Sequence, residues 1–220
     1  MRSRGGTARV WNVEPFGLEV RNLPKPVSGK SLFGNEHPVE MEIGAGKGPF
    51  LAEEAKNRPA VNFIGIERAR RYWGLASDRV RRHGYSNVRL ILVDAGYFLD
   101  EFVPGDFLNA IYVHFPDPWP KKRHQKRRLI QPRFLQVVER VLTPEGRFQV
   151  VTDHKDYFDH IVDVVSSSSL LQSEYRRPST AAAGELVGSN FGKKYRLEGR
   201  VSYAMAAAKV SQASRMRKSG

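Results

Sequence analysis

The sequence predicts an α/β protein whose core is a mostly parallel sheet with helices on both faces. Short apolar runs alternate along the chain with helix-length segments, the order expected of a doubly wound sheet. Those runs are almost continuously apolar, as in strands buried on both sides. An acidic residue also stands at or just beyond the end of five successive runs: Glu42, Glu67, Asp94, Asp117 and Asp153. A single acid at such a place often caps the helix that follows. Five in register point instead to the edge where parallel sheets bind ligands, outside the carboxyl ends of the strands.

The elements follow in order. Residues 1–37 are rich in Gly, Pro and Arg with weak periodicity and read as an extension or lid. A strand at 39–43 leads into the glycine turn 44–48 and a helix over 49–57. Pro49 suits the first turn of that helix, where a missing N–H costs nothing. A second strand, 61–66, ends at Glu67, and a basic helix over 70–82 stops near His83-Gly84. Tyr72, Trp73 and Leu75 in that helix read as packing residues. The third strand is 88–93 and the fourth 110–115, the latter running into Pro116-Asp117-Pro118-Trp119-Pro120. A helix over 132–142 and a turn at Pro144-Glu145-Gly146 precede the fifth strand, 147–152. The stretch after Ser166 reads as a mobile surface segment and 201–208 as a closing edge strand. The expected organisation is thus an extension at 1–37, one domain at 38–208 and a basic tail at 209–220.

Composition narrows the function. A chain of 220 residues with 40% hydrophobic content fits one domain with a sizeable core. No apolar run is long enough to cross a bilayer, and the N-terminus lacks the apolar segment of a secretory signal, so a cytoplasmic protein is expected. The absence of cysteine excludes disulfides, thiolate nucleophiles and Cys-based zinc sites. Thirty-six Lys and Arg against 23 Asp and Glu give a net charge of +13, which favours a polyanionic partner such as nucleic acid. The charge is concentrated: seven basic residues and no acid lie between Trp119 and Arg133.

The glycine turn reads G-x-G-x-G and is entered by Glu42. A dinucleotide fold would use G-x-G-x-x-G, and a carboxylate at its mouth would repel a pyrophosphate. The same carboxylate suits a cation, and S-adenosylmethionine carries both a sulfonium and an ammonium. Glu67, about 20 residues beyond the glycines, stands where related nucleotide folds hold a ribose diol. Two prolines fix the backbone around Asp117, and Trp119 and the basic cluster follow at once. A carboxylate and an aromatic platform, Trp119 or Tyr112, beside a cationic rim suit a nucleobase whose phosphates must also be held. His114 reads first as a core histidine. His154 and His160 lack the i, i+4 pairing of a helical zinc site, so no metal is expected.

The block FPDPWPKKRHQKRRL, preceded in order by EIGAGKG, GIE and DA, resembles the signature of the bacterial tRNA (guanine-N7)-methyltransferases. The resemblance runs from about Val39 to Asp153 and more weakly to about Tyr203. It implies a Rossmann-like class I methyltransferase fold, with a seven-stranded sheet whose last strand is antiparallel. The implied activity is methylation of guanine N7 in the variable loop of tRNA, with S-adenosylmethionine as donor. Carried over by position, Glu42, Gly44, Gly46, Glu67, Asp94 and Asp117 would contact the donor, and Asp117 would also be the catalytic residue. Lys121, Asp153 and Ser189 would contact the guanosine, and Arg123, His124, Lys126, Arg127 and Arg128 would lie against the RNA. One departure stands near the C-terminus. Where the family shows Thr-x-Tyr/Phe-Glu, this chain has Ser189-Asn190-Phe191-Gly192, and the nearby acids Glu185 and Glu198 are the candidates to replace the missing glutamate. A methyltransferase for another RNA base and a catalytically impaired RNA-binding homologue are the alternatives; the oligomeric state is open between monomer and homodimer.

Overall fold

The computed structural model describes residues 11–178, 181, 185–187, 192, 194 and 197–210. Their core is an eight-stranded sheet: β1 (Gly17–Glu19), β2 (Val39–Ile43), β3 (Asn62–Glu67), β4 (Val88–Leu92), β5 (Leu108–His114), β6 (Leu142–Thr152), β7 (Leu171–Ser173) and β8 (Tyr203–Ala208). Their spatial order is β1-β4-β3-β2-β5-β6-β8-β7. Every pairing from β1 to β6 is parallel, whereas β8 runs antiparallel to both β6 and β7.

Side-chain alternation sorts the sheet into two faces. On β3, Ile64 and Ile66 join the larger apolar cluster and Phe63 the smaller one. The larger cluster lies under α1 (Gly29–Phe33), α4 (Ala95–Glu101), α5 (Pro132–Val141) and α6 (Lys155–Ser166). The smaller one lies under α2 (Pro49–Asn57) and α3 (Arg70–His83). Helix boundaries have local causes. Pro49 and Pro132 open α2 and α5, where the ring's fixed φ is already helical. Asp94 caps α4, and Gly84 ends α3 in the left-handed conformation, its N–H returning to Val80 and Arg81.

From β2 the chain steps outward through β3 and β4, then returns to lay β5 on the other side of β2. Strand order therefore reverses between β2 and β5, and the carboxyl ends of those two strands flank the crevice where such sheets bind ligands.

Four readings change. The segment expected to be an extension contributes β1, paired with β4, and α1, while Val27 and Leu32 enter the main core. The 201–208 segment is not the edge: β7, in the stretch read as mobile, pairs outside β8. Helices α4 and α6 had no separate expectation. Of the three α3 residues read as packing, Trp73 is buried and donates from Nε1 to Leu90 O at 2.9 Å, but Tyr72 is 42% exposed.

The N-terminal segment is seated against α3 at Gly74, where an added Cβ would lie 2.3 Å from the Trp11 ring. Overpacking of this kind costs about 1–3 kcal/mol. Gly74→Ala is expected to lower the unfolding free energy by that amount, seen as a lower urea midpoint with an unchanged m-value and read by Trp fluorescence.

Candidate active site

At the carboxyl end of β2, Glu42 points to the α2 side of the sheet and is 3% exposed. One oxygen, Oε1, lies 2.9 Å from His114 Nδ1 on β5. Its other oxygen is buried with no hydrogen-bond partner. Burial raises the Glu42 carboxyl above its ordinary range, and His114 opposes that rise. Just beyond, Gly44 and Gly46 turn the chain with φ of +80° and +56°. A Cβ built on Gly44 would meet nothing within 4 Å, so the turn borders open space. Glu67 anchors this turn: its Oε2 accepts from Gly46 N at 2.9 Å, and its Oε1 accepts from Ala69 N at 2.8 Å. Asp94 is exposed and accepts from Tyr97 N at 3.2 Å as the α4 cap. A buried carboxylate oxygen with unmet acceptor capacity, an open glycine turn and two further acids form a donor set that fits the ammonium, sulfonium and ribose of S-adenosylmethionine.

The second half of the site is the loop after β5. Phe115 and Trp119 both hold positive φ, +51° and +43°. Bulky residues rarely adopt this conformation, and it persists only where surrounding contacts enforce it. Between them Asp117 is exposed, with no hydrogen-bond or ion-pair partner among the described residues. The enforcing contact is Arg128. Its side chain is only 2% exposed; Nε donates to Pro118 O at 2.9 Å, an Nη hydrogen-bonds to Asp156 on α6, and the guanidinium lies 4.8 Å over the Tyr157 ring.

Arg128 therefore does not belong to the RNA-facing set in which the sequence reading placed it. Buried and bonded to both Pro118 and Asp156, it ties the Asp117 loop to α6. The remaining cations stand outside. Lys121 and the 3-10 turn Lys122–Arg127 form a ledge on which Lys121, Arg123, Lys126 and Arg127 are exposed and His124 half-buried. Trp119 forms the ledge's inner wall, with Arg127 5.1 Å over its ring and His124 edge-on at 5.9 Å. Tyr112 is not an aromatic platform: it is buried, and its hydroxyl donates to Glu40 at 2.9 Å.

Asp153 closes the edge at the end of β6, with its side chain 18% exposed and paired to Arg200 at 3.0 Å. Arg200 also pairs with Glu198 at 2.9 Å, which brings one of the two candidate acids next to Asp153. Ser189 lies outside the described residues. His154 caps α6, and His160 contacts Ile130 O at 3.0 Å. Among the described residues no group of three or more potential ligands could hold a metal ion, and no helix is long and apolar enough to cross a membrane.

Sequence reasoning missed His114 as the partner of Glu42, Asp156 and Tyr157 as the seat of Arg128, and Arg200 as the partner of Asp153. The only available signal was the alternation on β2 and β5, which puts Glu40, Glu42, Tyr112 and His114 on one face.

The comparisons agree with this geometry. A family model described as "Putative methyltransferase" matches residues 36–205. A tRNA (guanine-N(7)-)-methyltransferase of Streptococcus pneumoniae (strain 70585) is 36% identical over 160 residues, covering 73% of this chain and 75% of the relative. The protein of the same name from strain Hungary19A-6 is 35% identical over the same shares. Among solved structures, an antibiotic-related methyltransferase superposes with a TM-score of 0.58 at 18% identity, covering 80% of this chain and 89% of the other. A SAM-dependent methyltransferase from Aquifex aeolicus gives 0.55 at 13% identity, over 79% and 82%. These two show the fold, and the sequence relatives show more: the chain belongs to the tRNA (guanine-N7)-methyltransferase family.

Proposed function

We propose that this protein transfers the methyl group of S-adenosylmethionine to N7 of a guanine in the variable loop of tRNA, acting in the cytoplasm. The observation that carries the reading is the position of Asp117. Unpaired among the described residues, it stands on a loop held by positive-φ residues and prolines, between the acidic edge of β2 and β3 and the cationic ledge of residues 121–127.

S-adenosylmethionine supplies an activated methyl group on its sulfonium sulfur. Glu42, Gly44, Gly46, Glu67 and Asp94 are the residues that would hold it. Guanine N7 has a free lone pair and no proton to lose, so the protein needs no general base at this atom. Its task is to orient the purine and to offset the positive charge the purine gains, and orientation alone can contribute about 7–11 kcal/mol. Asp117 accepts hydrogen bonds from the base and places a negative charge beside it. Lys121, Asp153 and Ser189 are assigned to the guanosine by family position. In A-form RNA the N7 edge lies in a groove too deep and narrow for side chains, so the target base must be unstacked. Trp119 offers the stacking face and Arg123, His124, Lys126 and Arg127 hold the flanking phosphates.

The direct test is incubation with labelled S-adenosylmethionine and unmodified tRNA, followed by nucleoside analysis. 7-Methylguanosine is expected; label on another nucleoside overturns the choice of atom, and no label at all overturns the activity. Asp117→Ala is expected to lower kcat about a hundredfold while leaving tRNA affinity unchanged; full turnover refutes its role. The two neighbouring arginines should separate cleanly. Arg127→Ala reduces the slope of log affinity for tRNA against log salt by roughly one. Arg128→Ala leaves that slope unchanged and instead lowers the unfolding free energy by about 1.5–3 kcal/mol, the value of hydrogen bonds to a charged group.

A further inference from the structure

On β2 and β5 two carboxylate pairings repeat one diagonal: Tyr112 reaches back to Glu40, and His114 reaches back to Glu42. Their surroundings differ. Glu40 is saturated, receiving the Tyr112 hydroxyl and both arms of Arg58 at 2.8 and 2.5 Å. Glu54 on α2 also pairs with Arg58, at 2.8 Å. Among the described residues Glu42 has only His114. Both side chains are 4% exposed, and Glu42 Oε2 and His114 Nε2 are buried without a hydrogen-bond partner. The nearest further charges on β3 and α2, Glu67 and Glu54, are negative and push the Glu42 proton affinity higher. At the end of β6, Asp153 is already paired with Arg200. Phe50 of α2 packs edge-on against the imidazole at 4.6 Å and fixes its plane. Among the described residues His114 is thus the one hydrogen-bond partner of Glu42, and it opposes the upward pull of burial on that carboxyl across the point where strand order reverses.

We propose that His114 is a positioning residue for the methyl donor: by donating from Nδ1 to Glu42 Oε1 it holds this carboxylate ionised, with Oε2 turned to receive the donor's ammonium group. This inference rests on the donor reading of the site. A protonated Glu42 offers no negative charge to an ammonium, so donor affinity should fall as pH drops through the apparent pKa of Glu42. Removing His114 removes the contact that opposes the upward shift from burial, and the fall should begin at a higher pH.

The test is calorimetric titration of the wild-type chain, His114→Phe and His114→Asn with S-adenosylmethionine across a pH series, without tRNA. His114→Phe is expected to bind at least about tenfold more weakly, equivalent to about 1.4 kcal/mol, with its pH onset displaced upward. His114→Asn retains an N–H donor and is expected to recover most of the affinity. A merely structural histidine would change thermal stability in both variants without moving the pH onset. A wild-type readout stands beside the variants: with 15N-labelled histidine, the His114 ring resonances are expected to move on donor titration. The proposal is overturned if His114→Phe keeps wild-type affinity and onset, or if the ring resonances stay still. If the wild-type chain fails to bind the donor, the cofactor assignment falls with it.

Discussion

A carboxylate almost out of water at the end of the central strand sets the terms for the rest of the molecule. Burying a charge costs several kcal/mol unless it is paired and hydrogen-bonded. On β2 the chain meets that cost twice, on the same face and two residues apart, with different results. At Glu40 a guanidinium and a phenol complete the coordination, and the group becomes part of the core. At Glu42 a single imidazole covers one oxygen and leaves the other with acceptor capacity. The glycine turn that follows, fastened by Glu67, keeps the space beyond open. Completeness of pairing separates the two acids: Glu40 is closed off, whereas Glu42 keeps an acceptor in reserve.

The loop after β5 solves a different problem, that of keeping an aspartate fixed and exposed at once. Exposure alone would leave Asp117 on a flexible tip. Two positive-φ residues and two prolines stiffen the segment, but stiffness without attachment would only let it swing as a unit. Arg128 supplies the attachment by turning inward to Pro118, Asp156 and Tyr157. The basic run therefore divides by direction within one turn, with Arg127 on the ledge and Arg128 in the core.

Much of the sheet was legible because strands covered on both sides are largely apolar, a mark plain in β3 to β6 and interrupted in β2 only by Glu40 and Glu42. Helices α2, α3 and α5 announced their starts or stops through Pro49, Gly84 and Pro132. What escaped was short or non-local. Strand β1 has three residues and α1 five, too few for any period to emerge. The edge position of β7 depends on where β8 lands. In the site, the acids at the strand ends were visible in order, and their common edge followed from the parallel topology. Their partners were not: Glu42 and His114 are 72 residues apart, and Arg128 and Asp156 are 28 apart. Charge density marked residues 121–128 as a basic stretch but could not reveal that one of its arginines, Arg128, turns inward.

Both outermost strands, β1 and β7, are only three residues long. A sheet of eight strands normally exposes two rows of unsatisfied N–H and C=O groups, each a template on which a second molecule can add a strand. Here either template ends after a single repeat of the ladder. The molecule's open borders are thereby poor seeds for edge-to-edge aggregation, even though its interior strands are as apolar as those found in fibrils.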